Sequence, residues 1–64
     1  MTTTLFTRGA DGQWSEHSDH ASNEDALSAG KQLLADNPDI KRIRVGGEVY
    51  ARGPHGVVIE VMED

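Results

Sequence analysis

The residues best suited to chemistry sit together, at His17-Ser18-Asp19-His20. Two imidazoles three positions apart with a carboxylate between them can ligate zinc from a tight loop or a helical turn. A hydroxyl beside an imidazole is the pairing of a nucleophile with its base. Neither constellation is completed elsewhere. The third histidine, His55, is far along the chain, and no second ligand pair exists. Ser15, Ser18, Ser22 and Ser28 stand in no strand-to-helix elbow. The expectation is therefore a solvated loop with no metal, no cofactor and no catalytic residues, in a protein that is not an enzyme. The chain has no cysteine, which excludes disulfides, Cys-ligated zinc and a thiol nucleophile. Gly9, Gly12, Gly46, Gly47, Gly53 and Gly56 fall in pairs at turns, and none leads from a strand into a helix beside a lysine, as a phosphate loop requires.

What remains is charge. The 64 residues carry a formal net charge of -5. Between Gly9 and Asp39 the acids Asp11, Glu16, Asp19, Glu24, Asp25, Asp36 and Asp39 face one cation, Lys31. From Ile40 to Gly56 the balance reverses, with Lys41, Arg42, Arg44 and Arg52 against Glu48. The tail is acidic again, at Glu60, Glu63 and Asp64.

The elements that position these groups follow from pattern. Thr2 to Arg8 suits a half-buried strand. Gly9 to Gly12 is a turn, and Gln13 to His17 is a short second strand, followed by a polar loop from Ser18. Ser22 with Asp25 three residues on resembles a capping box, and opens a helix with Ala26, Leu27, Gly30, Leu33 and Leu34 on one stripe. Asn37-Pro38 closes it, since the residue before proline is driven out of the α region. Strands follow over Ile40 to Val45, Glu48 to Arg52 and Val57 to Met62. The predicted fold is one α+β domain over residues 1–64: a single antiparallel sheet of four to five strands with one α-helix on one face, in the order ββαβββ.

Candidate core residues are Leu5, Phe6, Trp14, Leu27, Leu33, Leu34, Ile43, Val45, Val49, Val57, Ile59 and Val61, a thin core for so short a chain. Because side chains alternate, keeping Val45 and Val49 on one face requires a three-residue connection, Gly46 to Glu48. That register puts Arg42, Arg44, Tyr50, Arg52, Val58, Glu60 and Met62 on the open face. An aromatic-bearing basic face of this kind can hold RNA, although the acidity of the whole chain favours partners other than nucleic acid.

Glu24 and Asp25 suit the helix N-terminus, but Asp36 and Asp39 lie at the end where the dipole disfavours negative charge. At about 1.5 Å of rise per residue, Asp25 and Asp36 stand roughly 16 Å apart. That spans several phosphate positions of a strand spaced by roughly 3.4 Å each. A negative surface of Glu16, Asp19, Glu24, Asp25, Asp36 and Asp39 follows as the candidate partner-binding set.

In its size, acidity and lack of cysteine, with Met1-Thr2-Thr3-Thr4-Leu5 at its start and Val61-Met62-Glu63-Asp64 at its end, the chain resembles phage anti-CRISPR proteins, inhibitors of type I effector complexes in particular. The resemblance implies a stoichiometric inhibitor that binds a Cas subunit of a type I complex through an acidic, DNA-mimicking surface and blocks target DNA. The basic segment departs from a uniformly acidic mimic. The partner expected is thus a larger, basic, nucleic-acid-binding protein, with the chain itself a monomer or weak homodimer. The alternative is a small homodimeric structural or regulatory domain that buries the Tyr50, Val58 and Met62 face. No apolar run approaches the roughly 20 residues that cross a bilayer. The first residues also lack a secretory pattern, so the expected location is the cytoplasm, that of a bacterial host if the protein is phage-encoded.

Overall fold

The computed structural model describes residues 2–62, so the acids Glu63 and Asp64 lie outside the described residues. Five strands form one antiparallel sheet, and one helix packs on it, in the chain order ββαβββ. The strands are β1 (Thr3–Gly9), β2 (Trp14–His20), β3 (Ile40–Val45), β4 (Glu48–Arg52) and β5 (Val58–Val61), and the helix α1 is Asn23–Asp36. In space the strands run β2-β1-β3-β4-β5.

Ser22 caps α1 as its sequence implies: its Oγ accepts a hydrogen bond from the Asp25 backbone N–H at 3.2 Å. The helix ends one residue before Asn37-Pro38. Its inward stripe, Ala26, Gly30 and Leu34, is buried. Ala26 and Leu34 cluster with Leu5, Ile43 and Val45 from the sheet, and Leu27, Ala29, Leu33, Ile40, Tyr50 and Val58 pack around that cluster. Gly30 is where helix and sheet come closest. A Cβ built there would overlap Ile43 Cδ1 and lie 3.2 Å from Leu5 Cδ1.

The first correction to the sequence reading is β2. It runs on through Ser18, Asp19 and His20, which were expected to be loop. Thr3, Thr4 and Leu5 supply the partners, at His20, Asp19 and Ser18 respectively. The register shifts by one residue beside Leu5 and Phe6, so that an extra residue on β2 is taken up as a bulge. A second shift, between Arg8 and Gly9 in the β1–β3 pairing, takes up Lys41 and brings Ile40 back to the helix side.

The second correction is the β3–β4 connection. It has two residues, not three. Gly46 and Gly47 take φ values of 58° and 83°, the left-handed pair that a tight type I′ hairpin needs. Val45 therefore opposes Glu48, Arg44 opposes Val49 and Ile43 opposes Tyr50. Every side chain of β4 and β5 moves to the face opposite the expected one. Tyr50, Arg52, Val58 and Glu60 share the helix side, and Val49, Ala51, Ile59 and Val61 share the open side. Of the expected core, Val57 and Ile59 are exposed. Phe6 and Trp14 are half-buried on the open face beside Arg44. The Tyr50–Val58–Met62 surface offered for a homodimer does not exist as a free face, because Tyr50 and Val58 pack against the core.

Candidate functional site

Three groups of side chains could do something beyond holding the fold: the acids around α1, an arginine–aromatic stack on the open face, and the His17–Ser18–His20 trio.

The six acids divide between two faces. Asp25 and Asp36 are eleven positions apart, about three full turns at 3.6 residues each, so they stand on one stripe of α1. Ala26, Gly30 and Leu34 mark the buried side of that helix, and Asp25 and Asp36 point away from it into solvent. Glu24 stands in the first turn, about 100° round the helix from Asp25, and Asp39 lies three residues past the helix end; both are exposed. Glu16 and Asp19 do not join them. They pair with Phe6 and Thr4 on the open face of the sheet. Asp19 is engaged there, since the Thr4 hydroxyl donates to its Oδ1 at 2.8 Å.

Asp36 accepts from Gln32 Nε2 at 3.1 Å. The last turn of α1 has no basic residue of its own. Arg52, reaching across from β4, fills that role. Its Nε donates to the Leu34 carbonyl at 3.0 Å, and Nη2 donates to the same oxygen. The Asn37 and Ile40 carbonyls accept from Nη2 at 3.3 and 3.4 Å. A guanidinium thus satisfies the Leu34 carbonyl, one of those at the end of the helix that lack an amide partner, and offsets the negative end of its dipole. This is why α1 tolerates Asp36 and Asp39. It also removes Arg52 from the open-face basic cluster in which the sequence placed it.

On the open face the arginines stack. Arg44 lies over the Phe6 ring at 4.9 Å and over the Trp14 ring at 5.4 Å, and Arg8 lies over Trp14 at 4.9 Å. Such contacts stabilise cations on ring faces. They also cover the surfaces on which a nucleobase would stack. Sequence reasoning found Arg42 and Arg44 but missed Arg8, Phe6 and Trp14. The available signal was the shared parity of Phe6 and Arg8 along β1.

The trio is better organised than a solvated loop. Ser18 Oγ lies 2.7 Å from His20 Nε2 and 3.0 Å from His17 Nδ1. A hydroxyl owns one proton, so it can donate to only one of the two imidazoles, and at least one ring must donate to it. The Ser18–His20 distance is that of a nucleophile and its base, a pairing the sequence reading did not expect. Two shallow surface grooves are lined by other residues. One, of about 310 Å³, includes Thr3, Phe6, Asn23 and Arg44. The other, of about 420 Å³, includes Thr7, Asp11, Asp39 and Lys41. Among the described residues no group of three or more His, Asp or Glu side chains is placed to hold a metal ion, and no helix is long and apolar enough to cross a membrane.

Among the described residues, Tyr50 is the one group held clearly away from its ordinary pKa. Its hydroxyl donates to Glu48 Oε2 at 2.7 Å. That bond, partial burial and the charges of Glu48 and Glu60 hold the phenol protonated, pushing its pKa up to about 12.

No protein-family model, curated protein or solved structure matches this chain.

Proposed function

We propose that this protein is a non-enzymatic inhibitor that sets the acidic side of α1 into the basic groove of a larger nucleic-acid-binding protein and keeps nucleic acid out. One observation carries the reading. Asp25 and Asp36 stand on a single exposed stripe of the helix, bracketed by Glu24 and Asp39. Of the six carboxylates expected from the sequence, the reading takes these four as its working set, since Glu16 and Asp19 lie on the open face of the sheet. A rigid helix holds the charges at fixed spacing, which favours electrostatic complementarity over mere attraction. The resemblance to anti-CRISPR proteins makes a Cas subunit of a type I effector complex the first partner to test.

The experiment is a titration of purified type I effector complexes with the protein, read as loss of target DNA binding. Asp25→Lys combined with Asp36→Lys lowers the affinity at least tenfold, and rising salt weakens the wild-type interaction. Glu16→Lys, on the opposite face, leaves it unchanged. Equal inhibition by wild type and the double reversal would overturn the reading.

A further inference from the structure

The sheet has two edges, β2 and β5, and the sequence treats them differently. β2 carries Glu16, Asp19 and two imidazoles, and its pairing with β1 is interrupted by a bulge. Charge and bulges are how natural edge strands repel a new neighbour. Within β5 the single charge is Glu60, and its pairing with β4 is unbroken. The exposed large apolar side chains among the described residues all gather on or beside this strand: Val57 at 58%, Ile59 at 43% and Met62 at 96%.

The backbone shows which groups the edge offers. Gly53 N–H donates to the Val57 carbonyl at 2.6 Å. Ala51 opposite Ile59 and Val49 opposite Val61 continue the same alternation. Ile59 and Val61 therefore turn their amides and carbonyls toward β4, the Val57 amide donates to the Pro54 carbonyl, and Val58 and Glu60 turn their backbone groups outward. Among the described residues no strand lies beyond β5 in the sheet.

We propose that β5 is a docking edge for β5 of a second copy of this chain, paired antiparallel with Ile59 opposite the partner's Ile59. A twofold axis that joins two edges in this way stands perpendicular to the sheet, so residues on the same face must meet. Three centres are then open. Centring on Glu60 sets two carboxylates directly opposite each other, which is unfavourable. Centring on Val58 draws in Gly56, whose φ of 78° is not extended. Centring on Ile59 avoids both. Val58 exchanges both backbone hydrogen bonds with the partner's Glu60, and Glu60 does the same with the partner's Val58. Val57 meets the partner's Val61. The open-face residues Val49, Ala51, Ile59 and Val61 then join their counterparts in one apolar band, and both helices lie on the same side of a ten-stranded sheet.

A four-residue edge supplies only part of the roughly 1,200 Å² that stable complexes bury, so the dimer is weak and concentration-dependent. It rests on the backbone of β5, and its success or failure leaves the acidic-helix reading untouched.

The chain lacks cysteine, which allows a direct test of register. Ile59→Cys and Val61→Cys are each oxidised with glutathione disulfide. In the proposed pairing the two copies of position 59 have Cα atoms about 4.5 Å apart, within disulfide reach. The copies of position 61 are about 13 Å apart along the strands, at roughly 3.3 Å per residue. Ile59→Cys is expected to form a covalent dimer at least tenfold faster than Val61→Cys. Sedimentation equilibrium of the unmodified chain shows a dimer at high concentration, and Ile59→Lys abolishes it while leaving the circular dichroism spectrum unchanged. A monomer at every concentration up to ~1 mM, or equal cross-linking at the two positions, overturns the proposal.

Discussion

Arg52 Nε donates to the carbonyl oxygen of Leu34 at 3.0 Å, tying β4 to the last turn of α1. The bond couples two elements that are far apart in sequence, and it replaces the basic residue that the helix end lacks. Arg52→Gln removes the charge and most of the fork, and is expected to cost about 1–2 kcal/mol. Arg52→Lys restores the charge but not the fork, and should recover part of that loss. Urea midpoints of the three proteins check this, and a glutamine variant as stable as wild type would contradict it.

Asp36 occupies the wrong end of the helix dipole. Asp36→Lys should raise stability by about 0.3–1 kcal/mol, less a few tenths for the lost Gln32 contact. If the residue is retained for binding, the same change weakens partner affinity. Thermal denaturation and the effector titration, run on one sample, read the two effects separately.

Gly30 sets the helix–sheet spacing. Alanine is the better helix former by about 1 kcal/mol, but its Cβ would meet Ile43 Cδ1, on a side chain that is fully buried. Overpacking of this kind costs about 1–3 kcal/mol, so Gly30→Ala is expected to be neutral to destabilising. Ile43→Val deletes the offending methyl. The double variant should therefore be more stable than the two single effects predict, and a double-mutant cycle in urea measures the coupling.

Tyr50 makes stability pH-dependent in the alkaline range. Its phenol titrates near its ordinary value of 10.0 when unfolded and at about 12 when folded. Below pH 10 both states are protonated and the contribution is complete. Between pH 10 and 12 the unfolded state loses its proton first, so stability falls as pH rises. Tyr50→Phe should flatten this part of the pH profile. As the sole tyrosine, Tyr50 can be titrated directly by its absorbance at about 295 nm.

Much of the fold was legible in the sequence. The Ser22 cap, the Ala26–Leu34 stripe and Asn37-Pro38 bound the helix because each acts locally. The strands of the second half were placed within a residue or so for the same reason. Register was not legible from apolar pattern, because Val49 is buried as expected but on the open side, while the helix side draws on Tyr50 and Val58. Long amphipathic side chains cover apolar surface with their stems and send polar ends outward. Tyr50 and Arg52 do this beside α1, reaching Glu48 and the helix carbonyls. The better cue was Gly46-Gly47 itself, a dipeptide suited to a two-residue hairpin. For the candidate site, Asp25 and Asp36 were legible from helical spacing alone. Glu16 and Asp19 were not, since their face depends on how a polar strand pairs with β1.

The Gly46–Gly47 hairpin makes the molecule unusually sensitive to chain length at one point. One residue inserted there would roll the last two strands inside out. Tyr50 and Arg52 would swing to the far side, the Leu34 carbonyl would lose its guanidinium, and Ile59, now exposed, would exchange water for the interior. Lengthening the chain at this point is thus a larger perturbation than any single replacement within those strands, and homologues with a longer bend should show the opposite phase of apolar residues from Glu48 onward.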